Sequence, residues 1–250
     1  MFGSIFRGLG SLFCFVLILS GVQAQPPAPV SASAYLDRGN AWYDRGELDK
    51  AIADYTRALV SAPELAEAYI NRGNARQDKG DLGGAITDYD RALKLNPVDV
   101  GAYTNRGNAR RLQGNLDGAL ADYNQALKLN PGEVKALYNR GNLWFALTEL
   151  DKAIADFNLA IEGNPRYAMA YNNRAVARQA QGDLSGAIED FGRAIEFNPN
   201  HARAYVNRGM ALLLQSKKAE AEQDFARAVN LDASMKPFIK RHRPDAPTYK

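Results

Sequence analysis

Arginine and aspartate recur together along this chain at a fixed spacing. An arginine returns every 34 residues, and an aspartate follows each of these arginines sixteen residues later. The arginines are Arg38, Arg72, Arg106, Arg140, Arg174 and Arg208, and the aspartates are Asp54, Asp88, Asp122, Asp156, Asp190 and Asp224. A guanidinium binds a carboxylate through two parallel hydrogen bonds, and it can also recruit an anionic ligand. Because both residue types occur in every copy, we predict an ion pair inside each copy; arginines that bind an anionic ligand are the alternative.

Asparagine forms two further rows beside these arginines. One row lies a single residue before the arginine, and the other lies two residues after it. The first row is Asn71, Asn105, Asn139, Asn173 and Asn207, with Asp37 in the first copy; the second row is Asn40, Asn74, Asn108 and Asn142, followed by Val176 and Met210. An amide is both donor and acceptor, so a row of amides matches a peptide backbone without reading its side chains. Two interpretations stay open: the amides bind a ligand, or they hydrogen-bond between adjacent copies.

The elements that position these rows are predicted to be pairs of helices. In the second copy, residues 68–76 suit a first helix, and Asp81 in the following turn can cap the next helix. A stripe of apolar residues then recurs at steps of three and four residues, which indicates a second helix. This helix must end at Asn96, because Pro97 cannot continue it. A period of 34 residues is typical of helix-turn-helix solenoids.

The repeat resembles the tetratricopeptide repeat, and the resemblance covers about residues 32–233. Three family positions carry it: a glycine, a small residue and an aromatic residue. The glycine position is occupied by Gly39, Gly73, Gly107, Gly141 and Gly209, with Ala175 in the fifth copy. The small residue is Ala51, Ala85, Ala119, Ala153, Ala187 and Ala221. The aromatic residue is Tyr55, Tyr89, Tyr123, Phe157, Phe191 and Phe225. The resemblance implies an all-α fold, a right-handed superhelical solenoid of about six helix-turn-helix units. These units are residues 32–65, 66–99, 100–133, 134–167, 168–201 and 202–233, and residues 234–250 would form a capping helix and a basic tail.

In the family, the first helices line a concave groove that holds partners. The first asparagine row resembles the asparagine ladder in the repeat region of O-linked N-acetylglucosamine transferases, which holds extended peptide. Arg111, Tyr138 and Phe145 would add specificity in such a groove, because arginine and aromatic residues dominate interface energetics; inter-repeat packing is their alternative role. Trp42 and Trp144 occupy the family's packed aromatic position. The family's carboxylate clamp needs a lysine one turn before the groove asparagine, and no copy has one there.

The first twenty-four residues have the composition of a secretory signal peptide. Arg7 provides a basic start, residues 9–19 are almost entirely apolar, and Val22 and Ala24 fit the small-residue pattern before a signal-peptidase cut. The apolar run is shorter than the about 20 residues that a bilayer span needs. We therefore predict cleavage after Ala24, with residues 25–31 as a proline-rich tether. An uncleaved membrane anchor is the alternative.

The composition argues against several classes of function. The 31 basic and 28 acidic residues nearly balance, so no basic stripe predicts binding to nucleic acid. The single cysteine, Cys14, lies inside the predicted signal peptide, and the only histidines are His201 and His242. The sequence contains no nucleophile–base pair, phosphate-binding glycine loop or metal-ligand cluster. We therefore expect no enzyme activity and no cofactor or metal.

Together these observations predict a non-enzymatic scaffold that binds an extended peptide or partner protein in the concave groove. We expect it in the periplasm or outside a bacterial cell, where the resemblance implies a role in organising envelope enzymes or export machinery. The lack of any Asn-x-Ser/Thr site fits such an envelope protein. A carbohydrate or cell-wall polymer is the alternative ligand, because amides and aromatic rings also suit sugars. Membrane contact is expected only through an uncleaved signal sequence, and weak self-association by end-to-end stacking is a further hypothesis.

Overall fold

The structure is a computed structural model that describes residues 31–243, and this part of the chain forms thirteen α-helices and no strand. The helices are α1 (Ala32–Asp44), α2 (Leu48–Ser61), α3 (Ala66–Asp78), α4 (Leu82–Leu95), α5 (Val100–Leu112), α6 (Leu116–Leu129), α7 (Val134–Ala146), α8 (Leu150–Gly163), α9 (Ala168–Ala180), α10 (Leu184–Phe197), α11 (Ala202–Leu214), α12 (Lys218–Leu231) and α13 (Met235–His242). The predicted signal peptide, the predicted tether up to residue 30 and the tail from residue 244 lie outside the described residues.

Each repeat is a pair of helices joined by a three-residue turn, with the first helix odd-numbered and the second even-numbered. The middle residue of the turn takes a positive φ, which glycine adopts without strain. Glycine fills this place in four repeats, for example Gly114 at φ 86°. Thr148 and Ser216 fill it in the fourth and sixth repeats, at φ 62° and 64°. In the second repeat, Asp81 accepts a hydrogen bond from the Gly84 amide, which confirms the predicted helix cap.

The two helices of a repeat approach closely because small residues lie at their contact. A Cβ atom added to Gly107 would lie 2.7 Å from Cε1 of Tyr123, a distance that real Cβ contacts do not reach. The aromatic ring thus fills the space that the missing side chain leaves. Ala119 and Ala126 are fully buried on the same second helix. The aromatic row, alternating with alanine, therefore forms the core of each repeat.

The repeats stack side by side, so each first helix contacts the preceding second helix and the neighbouring first helices. No repeat buries both of its faces alone, and stability comes from these neighbours. At the far end, α13 packs against α11 and α12 and buries Ile239. The prediction of an all-α helical-repeat solenoid is confirmed. Among the described helices, none combines the length and apolar character needed to cross a bilayer.

Candidate functional site

The arginine and aspartate rows form one ion pair in every repeat. Nε and Nη2 of each arginine donate to the two oxygens of the aspartate sixteen residues later, at 2.5–3.0 Å. The aspartates are buried, between 1% and 5% exposed. The predicted intra-repeat ion pair is therefore confirmed. Because the fork of each guanidinium already holds the repeat's own carboxylate, these six arginines have a structural role.

The third guanidinium nitrogen connects neighbouring repeats, a contact that sequence reasoning missed. Nη1 of Arg106 donates to Asp90 of the preceding repeat at 2.6 Å. The equivalent bonds join Arg72 to Thr56, Arg140 to Asn124 and Arg174 to Asn158, at 2.7–3.0 Å. Their sequence signal was a polar residue two places after the paired aspartate in the first four repeats, where the fifth and sixth have Gly192 and Ala226. Burial alone would lower the Arg106 pKa, but the hydrogen bonds and charges of Asp122 and Asp90 outweigh it and raise that pKa.

A second arginine, four places after the first on the same helix, shares the aspartate in three repeats, and Arg57 of the second helix shares Asp54 in the first repeat. Arg76, Arg110 and Arg178 donate through Nη1 to Asp88, Asp122 and Asp190, at 2.7–2.9 Å. Trp42 and Trp144 occupy the same place in the first and fourth repeats and are only partly buried against the core. The Nζ atoms of Lys50 and Lys152 lie 4.6 and 4.7 Å from their ring centroids. The tryptophans therefore lie at the edge of the core and not at its centre.

The asparagine rows form a ladder across repeats. Nδ2 of a first-row asparagine donates to Oδ1 of the second-row asparagine in the preceding repeat: Asn71 to Asn40 and Asn105 to Asn74, each at 3.0 Å, and Asn173 to Asn142 at 2.7 Å. The same oxygens of Asn40 and Asn74 accept from the hydroxyls of Tyr55 and Tyr89, at 2.9 and 2.8 Å. Burial raises the pKa of Tyr55 to about 12, so the hydroxyl stays protonated and donates. Bonding between repeats, one of the two open interpretations, is thus observed.

The ladder changes where the second row loses its asparagines. Val176 stands in the fifth repeat, so Asn207 donates instead to Oδ1 of Asn172 at 3.2 Å. Asn172 in turn donates to Asn173 at 2.9 Å. Met210 stands in the sixth repeat. The asparagine rows therefore line a polar stretch over the first four repeats, which gives way to an apolar stretch over the last two.

The ladder is interrupted between the third and fourth repeats by Arg111. Its Nη2 donates to Oδ1 of Asn108 at 3.1 Å, the oxygen that would otherwise accept from the next repeat. Within residues 31–243, the Asn139 side chain makes no hydrogen bond, and the hydroxyl of the fully buried Tyr123 makes none of good geometry. Burial raises the Tyr123 pKa to about 12, against the charge and hydrogen-bonding capacity of the nearby Arg111 guanidinium. Asn108 and Asn139 are thus the members of the predicted rows that the ladder does not join to each other.

The two aromatic residues predicted beside Arg111 differ in exposure. Tyr138 is buried, packs against Phe157 and Tyr167, and accepts a hydrogen bond from Asn173 at 3.0 Å. This position favours the packing role that the sequence left open. Phe145 is only partly buried and borders an open cleft. Phe145 is therefore the aromatic residue that a ligand in the groove could touch.

Two clefts open on the side of the first helices. A polar cleft of about 320 Å³ is lined by Asn40, Tyr43, Asp44, Tyr55, Asn71 and Asn74. An apolar cleft of about 380 Å³ lies near the other end and is lined mainly by Phe145, Val176, Met210, Leu214 and Phe238. The ladder lies between the two clefts and is interrupted between the third and fourth repeats. In the part of the chain that the structure describes, no three histidine, cysteine or acidic side chains converge as metal ligands.

Such stacked helix pairs with an open face of first helices define an all-α helical-repeat protein. Four family models, each describing tetratricopeptide repeats, match residues 39–80, 70–133 with 113–168, 168–201 and 191–223. Together these matches run from residue 39 to residue 223. The chain belongs to the tetratricopeptide-repeat family, whose repeats in general serve protein interaction rather than catalysis.

Several solved structures share the fold. MamA is 27% identical, with 66% of this chain and 96% of the MamA chain covered and a TM-score of 0.59. A tetratricopeptide repeat protein from Parabacteroides merdae is 26% identical, with 87% and 84% covered and a TM-score of 0.66. YrrB, described as having an unusual peptide-binding site, is 23% identical, with 75% and 96% covered and a TM-score of 0.60. A comparison with curated protein sequences finds no significant match.

Proposed function

We propose that the chain is a protein-interaction scaffold that binds an extended segment of a partner protein along its first helices. The observation that carries this proposal is the apolar cleft beside Phe145. Val176, Met210 and Leu214 line it, and Leu214 is 49% exposed. Contiguous apolar surface of this kind on a soluble repeat array is typical of an interaction site. YrrB shows that the same fold is able to accommodate a peptide.

The ladder adds the polar half of a peptide-binding surface. Within residues 31–243, the Nδ2 groups of Asn40, Asn74 and Asn142 donate to no side chain or backbone group, although their oxygens accept. Such spare donors, repeated from one helix to the next, suit the carbonyl groups of an extended backbone. Apolar side chains of the segment would then enter the cleft at the other end. The asparagine rows thus brace the repeats and keep donors available for a ligand.

The compartment and the pathway belong to this proposal as well. The basic start, apolar run and small residues of positions 1–24 support export, and the cysteine-free remainder of the chain suits a bacterial envelope. In the periplasm or outside the cell, the scaffold would bring together envelope enzymes or components of an export machinery.

The experiment is affinity capture from a bacterial envelope extract with the full chain as bait. The groove variant is Ala180→Glu with Leu214→Glu, which places two charges at the apolar cleft without touching the ladder. The control is Ala155→Glu with Leu159→Glu, the same changes at exposed positions of α8. We expect a partner protein that wild type and control retain and the groove variant loses.

Two other outcomes would contradict the proposal. An identical set of proteins on all three baits would place the interaction away from the first helices. Retention of purified cell-wall polymer, with no protein dependent on the cleft, would replace the protein partner with a carbohydrate.

A further inference from the structure

In the described residues, three of the four buried polar groups without partners belong to the second and third repeats. Within residues 31–243, four buried side-chain polar atoms make no hydrogen bond: Oε1 of Gln77, Nε of Arg111, the hydroxyl of Tyr123 and Nδ1 of His201. Gln77 and Arg111 occupy equivalent places in the second and third repeats, and Tyr123 lies under the third. A buried donor without an acceptor lowers the stability of a fold, so these groups need a physical reason.

Arg111 also differs from the other partly buried arginines of the first helices. The paired arginines and the second arginines Arg76, Arg110 and Arg178 each bind a buried aspartate. Arg111 instead donates to the neutral amide of Asn108 and lies close to the Tyr123 hydroxyl, and no carboxylate lies within 4.0 Å of it in the described residues. Two repeats earlier, Tyr43 in the equivalent place donates to Asp78 of the next first helix. The residue equivalent to Asp78 in the helix after Arg111 is Ala146. The position that could supply an acidic partner is therefore occupied by a methyl group.

We propose that Arg111 binds a carboxylate of the partner segment and thereby sets the specificity of the groove. This inference rests on the proposed function, because it names the chemistry that the groove selects. An arginine pairs with a carboxylate through parallel, charge-assisted hydrogen bonds, which a neutral amide such as Asn108 does not match. The carboxylate comes from an aspartate or glutamate side chain or from the free end of a chain.

Binding in this way also completes the ladder between the third and fourth repeats. When Arg111 turns toward the ligand, Oδ1 of Asn108 becomes available to the Tyr123 hydroxyl and to Nδ2 of Asn139. These are the two donors that the equivalent oxygens of Asn40 and Asn74 accept in the first two repeats. In the free protein, the Arg111 side chain therefore prevents the ladder from joining the third and fourth repeats, and binding of an acidic segment allows that hydrogen bond to form.

The spacing of the helices defines the rest of the segment. Arg111 and Phe145 lie at equivalent places on neighbouring first helices, whose axes are separated by about 10 Å at such contacts. An extended peptide advances about 3.3 Å per residue. The partner segment should therefore carry a large apolar side chain about three residues from the carboxylate, so that it enters the cleft beside Phe145.

The test is selection from a random library of extended peptides of about twelve residues, a length that reaches across three first helices. The full chain is compared with Arg111→Gln, with Ala146→Asp and with Arg91→Gln. Arg91→Gln removes the same charge from an exposed place on α4 and is the matched control. Ala146→Asp gives Arg111 an internal carboxylate and competes with the ligand.

Two libraries are used, one with free C-termini and one with amidated C-termini. Their comparison distinguishes a terminal carboxylate from an acidic side chain.

We expect wild type and Arg91→Gln to enrich acidic peptides with an apolar residue about three places away. Single peptides from that pool should bind Arg111→Gln and Ala146→Asp about ten- to hundredfold more weakly. The same acidic content with all four proteins would overturn the role of Arg111 and leave peptide binding intact. Failure of wild type to retain any peptide better than the variant Ala180→Glu with Leu214→Glu would overturn the proposed function, and this inference with it.

Discussion

At the scale of single residues, the arginine of four repeats contributes to two interfaces. Arg106 pairs with Asp122 in its own repeat and with Asp90 in the preceding one. The side chain of Asp122 is 3% exposed, and Arg110 is its second partner. A buried carboxylate is costly without partners, so the array depends on the arginine at each step.

Replacing Arg106 by alanine should lower the free energy of unfolding by about 3 kcal/mol, because it leaves Asp122 buried with Arg110 alone. Urea denaturation followed by circular dichroism measures this loss. Arg91→Ala, an equal change at an exposed site, should alter stability by less than about 0.5 kcal/mol. Equal midpoints for the two variants would mean that the ion pair contributes nothing net to stability.

At the scale of the helix pair, the turns differ more than the helices do. The middle residue of the turn needs a positive φ, and Thr148 adopts 62° where Gly114 adopts 86°. A β-branched residue is strained in this region, since its Cβ substituents crowd the backbone. The fourth repeat therefore holds a turn that its own sequence does not favour.

Thr148→Gly should raise the free energy of unfolding by about 1 kcal/mol, because relief of strain outweighs the added freedom of the unfolded chain. The reverse change, Gly114→Thr, should lower it by a similar amount. Thermal unfolding of the two variants beside wild type measures both effects. A lower melting temperature for Thr148→Gly would show that the Thr148 side chain contributes more than its backbone costs.

At the scale of the whole array, each repeat contacts only its neighbours, so a local change should have a local effect. The end of the described array depends on α13, an eight-residue helix too short to persist in water without packing. Ile239 is its buried anchor, packed in one cluster with Phe225 and Val206. Phe238 on the same helix is 47% exposed.

Ile239→Ala should release α13 while the central repeats stay folded. Native-state hydrogen exchange should then show lost protection in residues 235–242 and unchanged protection in α5–α8. Phe238→Ala should leave both regions nearly as protected as in wild type. Faster exchange of α5–α8 in the Ile239 variant would indicate that the array unfolds as one cooperative unit.

The sequence predicted the family, the all-α solenoid and the ion pairs, and the structure confirms all three. It missed the bond from four of these arginines to the preceding repeat, because that contact joins residues sixteen positions apart across two different repeats. It also left the asparagine rows undecided, since an amide is satisfied equally well by a ligand or by a neighbouring helix. The signal peptide, the compartment and the ligand of the groove stay predictions.

A 34-residue period by itself determined the fold of this protein, because a repeated pattern of glycine, alanine and aromatic residues can bury its apolar faces only by stacking helix pairs. Only the tertiary structure decided how the rows of polar residues are used. Arg111 lies three residues after Asn108 on α5 and donates to its oxygen. Only the packing of neighbouring helices shows that the equivalent oxygens of Asn40 and Asn74 accept from a tyrosine and from the next repeat's asparagine. The sequence does not show this competition for the Asn108 oxygen, because Asn108, Tyr123 and Asn139 all match their rows and meet only in the folded array.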